Sequence, residues 1–476
     1  IIRILKTVWR WSQLTLALLI IVLESVIRFG MSVFTSFIPF SSHIELPKSL
    51  KGHSPASYSE SQKDLERDAI ELITSRGYPV EEHFVTTKDG FVLGLHRITG
   101  PRAFTSPLNS APASPRDLGI RGSHASLFGN SSNNSNSAMV KPAVLLMHGF
   151  MMSSEVWLTR TNPNDSLPFI LADAGYDVWL GNNRGNKYSF KHTTYTPDQE
   201  QFWNWSIDEL AKFDMPSMVD FITDRTGHKT ITYIAFSQGT AQGWAGLSSN
   251  AALARKVDLF IALAPVSTCL GFSNPMVDSL ARSRPDFIFL LFGKKSILPS
   301  IIFWRNILPR DIYVKLIDGS VSFLFNWTTA CLSKEEKPML YSHIFSYTSV
   351  KTVVHWFQII QTNRFQMFDD ILLGVTPTES SDQPHRYHGR VIPGYHPGQI
   401  QTKFAMFYGG SDTLPNTKLL LEHLPKDKSV MVHEVPEYEH LDLIWAKDAH
   451  HKVFSKIVKL LNSHNKTILS ESDSSD

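Results

Sequence analysis

Residues 230–244 read TITYIAFSQGTAQGW. An apolar, β-branched run leads directly into Ser237, and Gly239 with further small residues opens a helical segment. A serine on a sharp strand-to-helix turn exposes its hydroxyl at a strand end, and small neighbours let strand and helix approach closely. Ala235 occupies the place of the first glycine in the usual Gly-x-Ser-x-Gly pattern. An ordinary strand-to-helix turn gives the same pattern, so Ser237 is a candidate nucleophile that needs chemical partners.

Short apolar runs alternate with helical segments on either side of this turn. Runs that are apolar on both faces are typical of a parallel sheet covered by helices. The sequence Lys88-Asp89-Gly90 predicts a hairpin turn between two alternating runs. Together with that hairpin, at 83–87 and 91–98, the candidate strands are 143–147, 176–180, 230–236, 257–264, 404–408 and 429–435. These runs predict an α/β fold with a mostly parallel, eight-stranded sheet.

Long stretches without sheet or helix periodicity divide the chain. The strands ending near 264 and beginning at 404 are separated by far more residues than an ordinary loop contains, which predicts a helical cap between the sixth and seventh strands. The core then comprises 65–264 and 404–465, and the cap 265–403. Residues 41–64 are a polar linker, and 101–140, rich in Ser, Asn and Pro, are a disordered insertion. An acidic tail at 466–476 is also predicted to be disordered.

The first 40 residues predict an N-terminal membrane anchor. Two apolar runs, 14–23 and 29–40, flank Glu24 and Arg28, and each is shorter than the roughly 20 residues of a spanning helix. A tilted span, a hairpin in one leaflet and a cleaved signal peptide are the alternatives. We expect a single anchor that places the chain on the endoplasmic reticulum, a lipid droplet or the plasma membrane.

Composition excludes several classes of function. A formal net charge of +2 and 19% charged residues do not suit a nucleic-acid binder. The two cysteines, Cys269 and Cys331, are too few for a disulfide framework or a cysteine-rich zinc site, and a single bridge stays open. We expect no metal and no cofactor. Sequons for N-glycosylation occur at Asn130, Asn133, Asn164, Asn204, Asn326 and Asn465.

A serine nucleophile needs a base and an orienting acid, and both follow Ser237 at predicted strand ends. Asp412 follows the strand at 404–408 through a Gly-Gly-Ser turn, and His440 follows the last strand. The other carboxylates considered for the acid are Asp442 and Asp370, and Asp412 itself would otherwise cap the next helix.

Two backbone N–H groups are expected to hold the oxyanion of a tetrahedral intermediate. One belongs to Gln238, directly after the nucleophile, and the other to Phe150, in the loop after the strand at 143–147. Gly149 permits the turn that aims the Phe150 N–H inward. His148 is expected to brace this loop by hydrogen bonding rather than to react.

Longer motifs make a specific resemblance. They are HGF at 148–150, YDVWLGNNRGN at 176–186, FWNWSIDELAKFDMP at 202–216, the serine turn and HWFQ at 355–358. Together they resemble the acid lipase family of gastric and lysosomal lipases. The resemblance implies an α/β-hydrolase fold, the triad and oxyanion donors named above, and lipid ester substrates under a mobile lid. Ala235-Phe236 in place of Gly-His, the insertion and the anchor resemble fungal steryl ester hydrolases.

The cap contains two strongly apolar stretches, 287–292 and 297–307. They form either the core of the cap or a lid whose apolar face meets a membrane or lipid-droplet surface. The candidate substrate-binding residues are Ile297, Ile301, Ile302, Phe303 and Trp304. The expected function is hydrolysis of steryl esters or acylglycerols through an acyl-enzyme. The alternatives are a triacylglycerol lipase, a lipid acyltransferase with the same triad and a catalytically silent lipid-binding scaffold.

Overall fold

A computed structural model describes residues 63–102, 141–297, 305, 307–370 and 392–473. The predicted anchor, most of the predicted linker and insertion, and the candidate lid residues Ile301, Ile302, Phe303 and Trp304 lie outside these ranges. Within the described ranges, no helix combines the length and apolar composition that crossing a bilayer requires.

One sheet organises the chain, and the predicted mostly parallel arrangement is confirmed: the eight predicted strands are present, together with a short ninth strand. Its strands run in the order β1-β2-β4-β3-β6-β7-β8-β9, with the short β5 paired to β2. The β1–β2 and β2–β4 pairs are antiparallel, and all pairs from β4 to β9 are parallel. The strands are β1 Val80–Thr86, β2 Phe91–Ile98, β3 Ala143–Met147, β4 Asp177–Gly181, β5 Lys191–His192, β6 Ile231–Phe236, β7 Val257–Leu263, β8 Lys403–Gly409 and β9 Ser429–Val435. The two residues of β5 carry no periodicity, so the sequence did not predict that strand.

Helices cover both faces of the sheet. Successive residues of β3 enter opposite apolar cores, Val144 and Leu146 on one face and Leu145 and Met147 on the other. The helices are α1 Ala69–Ser75, α2 Leu167–Asp173, α3 Ile207–Glu209, α4 Met215–Thr226, α5 Gln238–Ser249, α6 Ala251–Ala254, α7 Pro275–Ala281, α8 Pro285–Phe292, α9 Arg310–Phe325, α10 Lys337–Ser342, α11 Val350–Thr362, α12 Thr417–His423, α13 Asp442–Trp445 and α14 Ser455–Asp473. Helices α7 to α11 lie between β7 and β8, where the sequence predicts the cap.

The structure differs from the sequence predictions at two boundaries. Asp64, assigned to the linker, is 1% exposed and pairs with Arg76 at 2.7 Å, so the folded domain includes it. Helix α14 extends to Asp473, past the predicted start of the disordered tail at 466, because an amphipathic helix packed by Ile457 and Leu461 continues beyond its contact with the core. Both cysteines, Cys269 and Cys331, are free thiols.

A buried ion pair ties three segments of the core together. The Arg184 guanidinium donates to Asp89 in the β1–β2 turn at 2.6 and 3.0 Å. Its Nε donates to Asp214, which precedes α4, at 2.7 Å. The guanidinium also lies 4.3 Å from the ring centroid of Phe91. Asp214 is fully buried, so its charge depends on this partner.

We expect Arg184→Met to lower the free energy of unfolding by about 3–5 kcal/mol, because it leaves the Asp214 carboxylate buried without its guanidinium. The matched control is Lys256→Met. Lys256 pairs with Asp220 at 2.8 Å on the surface, where the two side chains are 37% and 50% exposed. That change should cost less than about 1 kcal/mol. Urea unfolding of both variants tests this, and equal losses would contradict a structural role for the buried pair.

Candidate active site

Ser237 occupies a strained turn between β6 and α5. Its backbone has φ 53° and ψ −122°, a conformation that side-chain-bearing residues rarely adopt. The Ser237 N–H donates to the Leu263 carbonyl at the end of β7, at 3.0 Å. This geometry places the hydroxyl at the carboxyl edge of the sheet, as a nucleophile on such a turn requires.

Two glycines make the close approach around Ser237 sterically feasible. A Cβ on Gly239 would lie 2.7 Å from the His148 carbonyl oxygen, so the helix and the loop after β3 meet through backbone. A Cβ on Gly149 would lie 3.1 Å from the Ser237 Cβ and 3.2 Å from the Phe236 ring. Gly239 is therefore required for this backbone contact, whereas a side chain at Gly149 would need the neighbouring side chains to shift by a few tenths of an ångström.

The structure brings the three predicted triad residues together. The Ser237 hydroxyl and the His440 Nε2 are 2.7 Å apart, and the His440 Nδ1 lies 2.6 Å from an Asp412 carboxylate oxygen. Asp412 follows β8 and His440 follows β9, so parallel strands deliver all three side chains to one edge. The side chains of His440 and Asp412 are 4% and 1% exposed. The other Asp412 oxygen accepts the Leu414 N–H at 3.1 Å, which orients the carboxylate.

The other two candidate acids have different partners. Asp442 accepts the Glu439 N–H at 2.7 Å and belongs to the start of α13. Burial raises the pKa of Asp442 to about 7, against the opposing effect of that hydrogen bond. Asp370 is 65% exposed and lies 3.6 Å from the Lys351 ammonium. Asp412 is therefore the carboxylate positioned to orient His440.

The predicted oxyanion donors flank Ser237. Gln238 is the first residue of α5, so its N–H has no acceptor within the helix. The Trp356 indole N–H donates to the Gln238 side-chain oxygen at 2.8 Å, so the cap contacts the residue next to the nucleophile. Phe150 lies in the loop after β3, next to Met151, whose φ is 55°. The cap anchors this loop, since the Ser346 N–H donates to the Met151 carbonyl at 2.6 Å.

His148 braces the loop that carries Phe150. One ring nitrogen lies 2.8 Å from the Gly149 carbonyl and must donate to it. The other accepts the Asn183 N–H at 3.1 Å, which fixes a neutral tautomer. Burial lowers the pKa of His148 to about 4, which keeps the ring uncharged. These hydrogen bonds are those of a structural residue.

Two aromatic rings enclose the imidazole of His440. The Trp327 ring is nearly parallel to it, with centroids 5.3 Å apart, and the Phe236 ring is 5.2 Å away on a tilt of 51°. Sequence reasoning identified Phe236 only as a departure from a family motif and did not identify Trp327. Trp327 lies in the cap, more than a hundred residues before His440, and no local pattern connects them.

The candidate lid residues are only partly described. Ile297 is 5% exposed and packs with Met151 and Ile288 in an apolar cluster that includes Phe150. Ile297 therefore lies beneath the surface, close to the loop that carries Phe150. Among the described residues of the cap, the apolar side chains of Phe287, Leu290 and Ile307 are exposed. The described residues contain no group of three side chains suited to hold a metal ion.

Comparison with known proteins agrees with this architecture. Residues 69–161 match the family model described as a partial alpha/beta-hydrolase lipase region, and 142–295 match the alpha/beta hydrolase fold. A probable lipase of Schizosaccharomyces pombe is 39% identical, over 84% of this chain and 81% of the relative. Human gastric triacylglycerol lipase is 32% identical, over 83% of this chain and 91% of the relative. The chain thus belongs to the acid lipase family of α/β-hydrolases.

Proposed function

We propose that the chain is a membrane-anchored serine lipase that hydrolyses steryl esters through an acyl-enzyme, with triacylglycerols as the alternative substrates. The observation that carries the proposal is the continuous chain from the Ser237 hydroxyl through His440 to Asp412, with steps of 2.7 and 2.6 Å. Hydroxyl, imidazole and carboxylate at these distances are the parts that ester hydrolysis requires.

In the first step, His440 Nε2 takes the Ser237 proton while Oγ attacks the ester carbonyl carbon. Asp412 accepts from Nδ1 and keeps the imidazole in the tautomer whose Nε2 is free to accept. The N–H groups of Phe150 and Gln238 hold the oxyanion of the tetrahedral intermediate. The imidazolium then donates its proton to the departing sterol or glycerol oxygen, and the acyl group stays on Ser237.

In the second step, water replaces the alcohol. Neutral His440 takes a proton from the water as it attacks the acyl carbon, and the same two N–H groups hold the second oxyanion. Collapse of that intermediate returns the proton to Ser237 Oγ and releases the fatty acid. Each cycle consumes one ester and one water and restores the enzyme.

The choice of steryl ester rests on the pair Ala235-Phe236 before the nucleophile. Phe236 is fully buried, and its ring faces His440 and lies 6.5 Å from that of Trp157. An apolar ring at this position, with the apolar cap cluster around Ile297, favours a bulky and wholly apolar substrate. The matching relative named a gastric triacylglycerol lipase supports the acylglycerol alternative.

We also propose that the protein works at a membrane or lipid-droplet surface, held by the apolar runs of residues 1–40. Exposed apolar side chains on and near α8 support contact with lipid, since Leu290 is 80% and Phe287 45% exposed. Asn164, Asn204 and Asn326 are exposed, so a lumenal domain would present them for glycosylation.

Ser237→Ala should abolish ester hydrolysis while leaving the thermal unfolding temperature nearly unchanged, because only the nucleophilic oxygen is removed. The measurement is turnover of a soluble nitrophenyl ester, together with labelling by a serine-reactive phosphonate that should modify the native chain alone. Full activity in the alanine variant would rule out the acyl-enzyme. Labelling of the native chain without turnover of any ester would favour a silent scaffold.

Purified protein should release fatty acid from emulsified steryl oleate faster than from triolein, since the Phe236 ring beside His440 and the apolar cluster around Ile297 favour a wholly apolar alcohol portion. The two esters share the acyl chain, so the ratio of rates reports the alcohol portion alone. A higher rate with triolein would assign the acylglycerol alternative. Transfer of oleate to an added alcohol in preference to water would identify an acyltransferase.

Leu290→Glu should lower activity on emulsified esters by roughly tenfold, because a carboxylate on the exposed face of α8 opposes burial in lipid. Activity on a soluble short-chain ester should not change. The matched control is Phe84→Glu, at a residue that is 52% exposed on strand β1 at the far edge of the sheet. Equal effects of the two substitutions on emulsions would contradict a lipid-contacting role for α8.

A further inference from the structure

The ring of Trp327 covers one face of the His440 imidazole. The two planes differ by 10° and their centroids are 5.3 Å apart, an offset stack of two nearly parallel rings. Trp327 is 4% exposed and His440 is 3% exposed, so the contact excludes water. Trp327 belongs to the cap, whereas Phe236, the other ring that encloses the imidazole, belongs to strand β6 of the sheet.

The segment that carries Trp327 is bonded to the residue next to His440. One Glu439 oxygen accepts the Thr328 N–H at 2.7 Å and the Thr328 hydroxyl at 3.0 Å. The other accepts the Thr329 N–H at 2.8 Å. A single carboxylate beside the imidazole therefore holds the two residues that follow Trp327.

A second bond links the same segment to the residue beside Asp412. The Thr413 hydroxyl donates to the Phe325 carbonyl at 2.6 Å, at the end of α9. The Phe325 ring stacks on Trp327 at 4.5 Å and on Phe272 at 5.7 Å. The Phe325 ring therefore packs against the indole, in addition to the backbone hydrogen bonds that hold its segment.

The face of an indole ring attracts a cation within about 6 Å of its centroid, and it does so more strongly when water is excluded. His440 is neutral before reaction and becomes an imidazolium as it takes the Ser237 proton. An interaction that is stronger with the imidazolium than with the neutral ring lowers the barrier, because it grows along the reaction coordinate.

We propose that Trp327 is a positioning residue for ester hydrolysis: its ring fixes the plane of the His440 imidazole and stabilises the imidazolium, and Glu439 holds Trp327 in place. The inference rests on the proposed function, because it assigns these residues a part in the same reaction. It makes the segment after α9 a component of the catalytic site.

Several other ionisable groups surround this ring. Asp412 faces Nδ1, and Glu439 precedes His440 in the chain. Burial raises the pKa of Asp442 to about 7, and that of the Cys269 thiol, whose pKa the nearby Asp412 charge also raises, to about 12. Asp442 therefore titrates near neutrality, and pH profiles need an Asp442→Asn background to separate it from the imidazole.

The test compares Trp327→Leu with Trp327→Phe on a soluble nitrophenyl ester. Each variant is measured in the native sequence and in the Asp442→Asn background. Leucine keeps apolar bulk without a ring face, whereas phenylalanine keeps the face and loses the indole N–H. With leucine, the plateau of kcat/KM should fall about 5- to 30-fold and its acid limb should move down by about 0.7 to 1.5 pH units. The lower plateau and the shifted acid limb have the same cause, because each reflects the loss of the ring face that stabilises the imidazolium. Phenylalanine should stay within about threefold of the native value.

Glu439→Ala should lower the plateau of kcat/KM and move its acid limb down, as Trp327→Leu does, and by more than Glu439→Gln, which removes the same charge but keeps one acceptor oxygen for the Thr328 or Thr329 N–H. This pair carries the test if Trp327→Leu does not fold. The control is Glu437→Ala, which removes a carboxylate paired with Lys452 on the surface. It should change neither the plateau of kcat/KM nor the position of its acid limb. An unmoved or upward-moving acid limb in a folded leucine variant that still reacts fully with the phosphonate would overturn the inference alone. Hydrolysis by Ser237→Ala would overturn the proposed function instead.

Discussion

The backbone turn at Ser237 is the constraint on which the rest of the site depends. A side-chain-bearing residue at φ 53° costs about 1–3 kcal/mol and persists only where its surroundings enforce it. Strand β6 is held between β3 and β7, the Ser237 N–H bonds to Leu263, and Gly239 lets α5 contact the loop after β3. The same turn places the Ser237 hydroxyl and the first residue of α5, Gln238, at the carboxyl edge of the sheet.

Parallel strand ends then supply the remaining groups. Strands β3, β6, β8 and β9 finish at the same edge, so the short loops that follow them carry Phe150, Ser237, Asp412 and His440 to a common centre. Sequence distance therefore has little bearing on the geometry. Correct register between the strands brings these side chains together, and that register is set by the apolar cores on both faces of the sheet.

The difference between local sequence patterns and long-range contacts explains how much of the fold and of the site the sequence could predict. The turn at Ser237 and the strand ends before Asp412 and His440 are local patterns, and the predicted strand at 404–408 differs from β8 by one residue at each end. The Glu439–Thr328 bond joins residues 111 apart and has no local signature. The buried Arg184–Asp89 pair has none either, since it depends on tertiary packing. For the stretch that begins at Ile297, hydropathy left the cap core and a lipid-facing lid as alternatives, because it does not distinguish an apolar interior from an apolar surface; Ile297 itself is buried.

Several hydrogen bonds join the cap to the catalytic edge, and three of them illustrate the attachment. The Ser346 N–H donates to the Met151 carbonyl in the loop that carries Phe150. The Glu439 carboxylate accepts the Thr329 N–H in the segment after α9, and His343 lies 2.7 Å from the buried Glu155 carboxylate. Displacing the whole cap as one body would break all three and would remove the ring stacked on His440. Admission of a lipid by displacement of the whole cap would therefore disrupt the contacts that position His440.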